Sequence, residues 1–184
     1  LFGGLYDWYD PLTLLEALNT SELDHCELIF VKNPNPESTP QKRLEEVLAW
    51  CQKNQWSDDR LNLIDWTPYE RRYDLLRDVD LMVATHADTF ETNLSMRTRF
   101  IDAIAAGCPV ISSAGGDASK LLVTYEAGTV VPNKDVPELR KALLAALSEE
   151  ATTRLGIGSH NQAAFSSAFA WNKVIEPLIE FCDS

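Results

Sequence analysis

Short apolar runs alternate with longer amphipathic stretches along most of this chain, and few folds accommodate that alternation. The strand-like runs are Leu1-Phe2, Glu27–Val31, Leu61–Ile64, Leu81–Thr85, Pro109–Ser112 and Gly128–Val131. Between them lie helical patterns over Pro11–Leu18, Pro40–Lys53, Pro68–Arg77, Met96–Ala106, Ala118–Glu126 and Val136–Leu147. Strand, helix and strand with short connections predict an α/β fold, a parallel sheet covered by helices on both faces. Two more helical segments follow, about 151–168 and 171–181, and Pro177 is expected to bend or interrupt the second. Helix starts are marked by Asp10-Pro11, Thr39-Pro40 and Thr67-Pro68, each a cap residue before a proline. Thr67 and Glu70 also match a capping box.

Six such strands suggest a doubly wound, Rossmann-like sheet of order 3-2-1-4-5-6. Its ligand crevice opens at the carboxyl ends of strands 1 and 4, where the winding reverses. Strand 1 runs into Gly3-Gly4, and strand 4 ends at Thr85-His86. Leu1-Phe2-Gly3-Gly4 reads as the tail of a strand with no body and no initiator Met, which predicts a piece of a longer protein.

The 184 residues fit one domain with a sizeable core. Sixteen Lys and Arg against 28 Asp and Glu leave a net charge of -12. Such a surface repels polyanions, so neither nucleic acid nor an anionic membrane is the expected partner. A small anion is still compatible, because a few well-placed donors outweigh a distant, screened field. Cys26, Cys51, Cys108 and Cys182 form no CxxC and read as buried thiols of a reducing compartment. His25, His86 and His160 show no metal-ligand spacing. No run approaches the roughly 20 apolar residues of a membrane span, and the expected location is cytoplasmic.

Against this acidic background "FETNLSMRTRFIDAIAAGCPVI", Phe90 to Ile111, carries a local basic cluster just past strand 4. With Ser95 as helix cap, Met96, Arg97 and Thr98 form a first turn whose N–H groups lack intrahelical partners. Free amides and the positive dipole end favour a phosphate-sized anion. Arg97 adds a forked cation and Thr98 a hydroxyl. Asp102, one turn further, is placed to accept hydrogen bonds from a ribose. Glu91, expected in the loop before the helix, is placed for hydroxyls beyond the diphosphate. An ordinary cap with solvated charges fits this helix equally well. Arg97 and Arg99 point apart, so one of them is expected at the ligand, and Arg99 has Asp102 or Glu91 as alternative partners.

Other candidates surround the same crevice. Gly3 and Gly4 allow close backbone approach, and Asp10-Pro11 starts a helix aimed at it. Trp66 and Tyr69 offer an aromatic wall for a base, or simple packing. Trp8 and Tyr9 read as packing, Lys32 as a phosphate contact or a solvated charge, and Gly115-Gly116-Asp117 as a tight turn near the rim.

In order along the chain stand "GGLYDWYDPLTLLEAL", "KNPNP", "WTPYERR", "THADTFETNLSMRTRFIDAIAAGCPVI" and "GGDASKLL". Together they resemble the C-terminal, nucleotide-sugar-binding half of the family 4 (group 1) glycosyltransferases of the GT-B fold. A bacterial polysaccharide and cell-envelope subgroup with an "ET-x-x-S-x-RTR-x-x-D" segment is the nearest likeness. "AWNKVIEPLIEF" is similar to the tail helix that crosses back to the N-terminal domain in such enzymes. The family's two glutamates, eight positions apart, correspond here to Leu94 and Asp102. Glu91 is the nearest acid to the first, and Asp102 matches the ribose-binding second. Asp10-Pro11 stands where a Lys-Gly is common, which leaves Arg97 as the substitute charge, and Asp117 follows Gly116 directly.

The resemblance implies retaining transfer from a nucleotide diphosphate sugar, preferably a UDP-sugar, with no metal or other cofactor. It implies as partner an N-terminal acceptor domain absent from this chain, so that residues 1–184 bind nucleotide without turnover. Attachment to the inner-membrane surface would belong to the full-length enzyme. The rival readings are a non-catalytic nucleotide-binding or sensor module, and a dinucleotide oxidoreductase. Against the latter, Gly3-Gly4 runs into Leu5-Tyr6-Asp7 rather than G-x-G-x-x-G.

Overall fold

In the computed structural model, residues 5–32, 35, 42–148 and 163–183 are described. Two parallel sheets carry the strands. Strand β1 (Leu28–Val31) pairs with β2 (Leu61–Ile64), Leu28 opposite Leu61. Strands β3 (Met82–Ala84), β4 (Val110–Ser113) and β5 (Thr129–Val131) lie in that order, with Met82 opposite Val110 and Ile111 opposite Thr129. The six-stranded sheet is therefore corrected to two small sheets of two and three strands among the described residues. The strand expected between β1 and β3 falls on Leu1-Phe2, outside the described residues. The parallel pairings that do form are those expected of the remaining five strands.

Among the described residues, seven α-helices fill the connections: α1 (Pro11–Leu18), α2 (Lys42–Lys53), α3 (Arg72–Arg77), α4 (Phe90–Leu94), α5 (Arg99–Ala106), α6 (Gly116–Thr124) and α7 (Val136–Ala146). Residues 163–168 are helical, and α8 (Trp171–Val174) and α9 (Glu176–Asp183) follow. The break between α8 and α9 falls just before Pro177, as its missing N–H requires. Helices α8 and α9 bury no side chain, and Trp171, Leu178, Ile179 and Phe181 are exposed.

Alternation along the strands puts helices on both faces. From β3, Val83 enters one core with Leu14, Leu15, Phe30, Val47, Ile111, Leu139 and Leu143, beneath α1, α2 and α7. Its neighbours Met82 and Ala84 face the opposite core, with Phe100, Ile104, Val110, Leu122 and Phe165, beneath α3, α5 and α6. Residues at successive strand positions thus serve different layers, as the two-residue period dictates.

Local signals decide where helices begin. Asp10 caps α1, accepting hydrogen bonds from the Thr13 amide at 3.3 Å and the Thr13 hydroxyl at 2.7 Å. The capping box at Thr67 does not form. Pro68 is extended, at φ -51° and ψ 145°, so the chain enters a 3-10 turn over Tyr69–Arg71 before α3 starts. The cap at Thr39, the "KNPNPESTP" loop (save Lys32 and Asn35), His160 and the expected helix over 151–162 lie outside the described residues.

The four cysteines are free thiols. Only Cys108 is buried, which pushes its thiol up to about 11; Cys26 and Cys51 are half-buried and Cys182 is exposed. The expectation of buried thiols therefore holds fully at one position.

Candidate functional site

The loop before α1 is stitched to the end of β3. The Asp10 amide donates to the Thr85 carbonyl at 3.0 Å, the Ala87 amide to the Trp8 carbonyl at 2.9 Å, and the Thr85 hydroxyl to the Asp10 carbonyl at 2.6 Å. Tyr9 and His86 form an antiparallel bridge, their rings 5.0 Å apart. Behind this stitch opens a cleft of about 140 Å³, lined by Trp8, Tyr9, Met82, Ala84, His86, Glu91, Ser95, Met96, Arg97, Thr98, Arg99 and Phe100. It lies at the carboxyl end of β3, where the topology places a ligand.

Ser95 does not cap the helix that follows it. Thr89 accepts a hydrogen bond from the Thr92 amide and starts the short helix α4, which Ser95 ends in an extended conformation, its amide donating to Glu91 at 2.9 Å. Residues 96–98 then turn the chain, with the Thr98 amide on the Met96 carbonyl at 2.8 Å, and α5 begins at Arg99 with Thr98 at its cap. Two helices thus replace the one expected, because Thr89 captures the first turn. Glu91 accordingly sits on α4 rather than in a loop. The amides of Met96, Arg97 and Arg99 have no partner among the described residues, so the amide-rich opening turn survives with its start shifted.

Arg97 turns inward. It is 7% exposed, and donates from Nη1 to the Ser112 hydroxyl at 3.1 Å and the Ser113 carbonyl at 2.8 Å. Nη2 reaches the Thr92 carbonyl at 3.4 Å and the Ala114 carbonyl at 3.5 Å, while Nε is buried without a partner. Burial lowers its pKa to about 10, so the guanidinium stays charged at neutral pH. Arg99 meets neither Asp102 nor Glu91; its Nη1 donates to the Tyr9 hydroxyl.

His86 was not singled out by its sequence context. It is buried, its amide donates to the Ser113 hydroxyl at 2.9 Å, and its Nδ1 has no partner among the described residues. Burial, then the nearby Arg97, lowers its pKa to about 3, so the ring is neutral.

The rim beyond the cleft is built on α3 and α5. Asp102 Oδ1 accepts from Arg72 Nε at 3.2 Å and from the Tyr73 hydroxyl at 3.4 Å, leaving Oδ2 without a partner among the described residues. The Arg72 guanidinium stacks 3.7 Å over the Tyr69 ring. Tyr69 and Trp66 are exposed. Asp102, Trp66 and Tyr69 are not among the cleft-lining residues, and Lys32 stands apart, paired with Asp65 at 3.0 Å. Gly3 and Gly4 lie outside the described residues. The Gly115-Gly116 turn does reach the rim: a Cβ on Gly116 would stand 2.7 Å from the Ser95 carbonyl, and one on Gly115 3.0 Å from Arg97 Nη2.

A parallel α/β domain with a cleft at the carboxyl end of β3, whose wall carries two arginines and amides without partners among the described residues, is of the Rossmann-like class. The model of the "Glycosyl transferases group 1" family matches residues 3–149, and the chain belongs to that family of enzymes. No curated protein matches the sequence.

Among solved structures, HepE of Anabaena in complex with UDP-glucose has a TM-score of 0.76 at 18% identity, over 99% of this chain and 47% of that one. A sucrose-phosphate synthase from Thermosynechococcus elongatus has a TM-score of 0.69 at 19% identity, over 96% and 43%. The C-terminal domain of a group 1 family glycosyl transferase (LpcC) from Francisella tularensis has a TM-score of 0.71 at 15% identity, over 91% and 83%. At these identities the likeness is one of fold. The chain spans about 47% of the HepE structure. Among the described residues no helix is long and apolar enough to cross a membrane.

Proposed function

We propose that this chain is the C-terminal, donor-binding half of a family 4, retaining glycosyltransferase that uses a UDP-sugar. In this reading the diphosphate rests against the turn from Ser95 to Thr98, where unpaired amides and the start of α5 offer donors and a positive field. That arrangement, with two arginines in an otherwise acidic protein, is the observation that carries the proposal. Asp102 Oδ2 accepts from the ribose, the Trp66 and Tyr69 rings flank the base, and Glu91 accepts from hydroxyls of the donor sugar. Gly3, Gly4 and Lys32 are retained as outer contacts of the phosphates.

The same donors act during transfer. Charge builds on the departing diphosphate as the glycosidic bond breaks, and fixed amides and guanidinium groups stabilise it without reorganising. The reaction is proposed to need no metal, and chelation of the full-length enzyme with EDTA tests that point. The acceptor, a polysaccharide or glycolipid of a bacterial cell envelope, would bind mainly to an N-terminal domain, with the enzyme in the cytoplasm against the inner membrane. The exposed apolar side chains of α8 and α9 fit contact with that domain.

Calorimetry with UDP, UDP-glucose, GDP and ADP tests the donor reading. Binding of UDP and UDP-glucose without sugar release is expected of this chain, and no binding by any of the four overturns the proposal. With full-length enzyme, the anomeric configuration of the product tests retention.

A further inference from the structure

Arg97 and Arg99 look equivalent in sequence and differ completely in place. All four Nη protons of Arg97 have acceptors within the protein, at Ser112, Ser113, Thr92 and Ala114, and the one guanidinium donor without a partner among the described residues is the buried Nε–H. Those acceptors come from α4, the end of β4 and the approach to the Gly115-Gly116 turn, so one guanidinium joins three segments of the cleft wall. A phosphate could take its Nη donors only by stripping buried carbonyls of theirs, which is costly. Arg97 is also 7% exposed, and none of the ion pairs among the described residues includes it.

Arg99 is half-exposed at the first position of α5. Its one bond to a side chain goes to the hydroxyl of Tyr9, a residue that is 6% exposed and fixed by the bridge to His86. Burial raises the Tyr9 pKa, so the phenol keeps its proton. Its oxygen accepts from Arg99, and Tyr9 lines the cleft together with His86, whose Nδ1 has no partner among the described residues. The pair therefore places a partly free guanidinium and a neutral phenol on the cleft lining, next to the Arg99 amide, which has no partner among the described residues.

We propose that Arg99, tethered by Tyr9, is the cation that meets the donor's phosphates, and that Arg97 is a positioning residue holding the turn from behind. This rests on the nucleotide-diphosphate reading above. Arg97 then contributes shape and a distant positive field, while Arg99 and Tyr9 supply the contacts.

Calorimetry of the 184-residue chain with UDP and with uridine, combined with thermal melting, separates the two roles. Arg99→Gln is expected to weaken UDP by about 10- to 100-fold, the loss of a charged hydrogen bond, while uridine binding and the melting midpoint stay as in the wild type. Tyr9→Phe is expected to weaken UDP by roughly 2- to 10-fold, the loss of a neutral one. Arg99→Lys should recover part of the affinity.

Arg97→Gln is expected to lower the melting midpoint by several degrees and to weaken UDP and uridine by the same factor. Arg97→Lys is the milder substitute where that variant does not fold. The proposal is overturned if Arg99→Gln binds UDP like the wild type, or if an Arg97 variant melts normally and loses UDP while keeping uridine. Failure of the wild type to bind UDP would instead remove the underlying donor reading, and this assignment with it.

Discussion

The Asp102 carboxylate holds Arg72 at 3.2 Å through Oδ1, and the guanidinium so held sits 3.7 Å over the exposed ring of Tyr69. The first turn of α5 and the start of α3 are joined by that contact. Asp102 thus has one oxygen accepting from Arg72 and Tyr73 and another without a partner among the described residues. An acid and an aromatic residue separated by more than thirty positions become parts of one rim.

If the unpartnered Oδ2 receives the ribose, removal of a ribose hydroxyl should matter only while Asp102 is present. The wild type is expected to bind UDP several-fold more tightly than 2′-deoxy-UDP, and Asp102→Asn to bind the two about equally. Calorimetry with both nucleotides gives the ratio. Unchanged discrimination in the variant would take the ribose away from Asp102.

The Gly116 position allows no side chain. Its φ of 68° is unfavourable for other residues, and a Cβ would press 2.7 Å from the Ser95 carbonyl and 3.1 Å from that of Thr92. Gly116→Ala must displace the very segment that leads into the amide-bearing turn. A loss of about 1–3 kcal/mol in urea unfolding is expected, with UDP affinity falling alongside. Wild-type affinity in a folded Gly116→Ala variant would separate the turn from ligand binding.

His86 links the cleft to pH. Its folded pKa of about 3 lies below the ordinary 6.5, so the unfolded chain binds the proton more readily between those values. The stability that neutral His86 represents is complete above about pH 6.5 and drains away as the pH falls towards 3. Between pH 7.5 and 5 the wild type should lose about 2 kcal/mol more than His86→Gln, at roughly 1.4 kcal/mol per unit below 6.5. Parallel pH profiles for the two proteins would mean that His86 titrates normally.

What the sequence made legible was set by local rules. The start of α1 follows from the Asp10-Pro11 cap, and the two cores follow from the alternation of Met82, Val83 and Ala84. The rim turn was visible in Gly115-Gly116. The candidate turn was found but misdrawn, because a five-residue helix carries too little periodicity to announce itself and Thr89 resembles any loop threonine. The inward turn of Arg97 was not legible, since its nearest acceptors are Ser112 and Ser113, on a strand fifteen and sixteen residues away. The Arg99–Tyr9 contact spans ninety positions and needed the folded crevice to appear.

The most direct test is a crystal structure of this chain with UDP. The diphosphate is expected within about 3 Å of the amides between Met96 and Arg99, with the ribose towards Asp102. A nucleotide bound elsewhere, or a turn left empty at saturating UDP, would contradict the account.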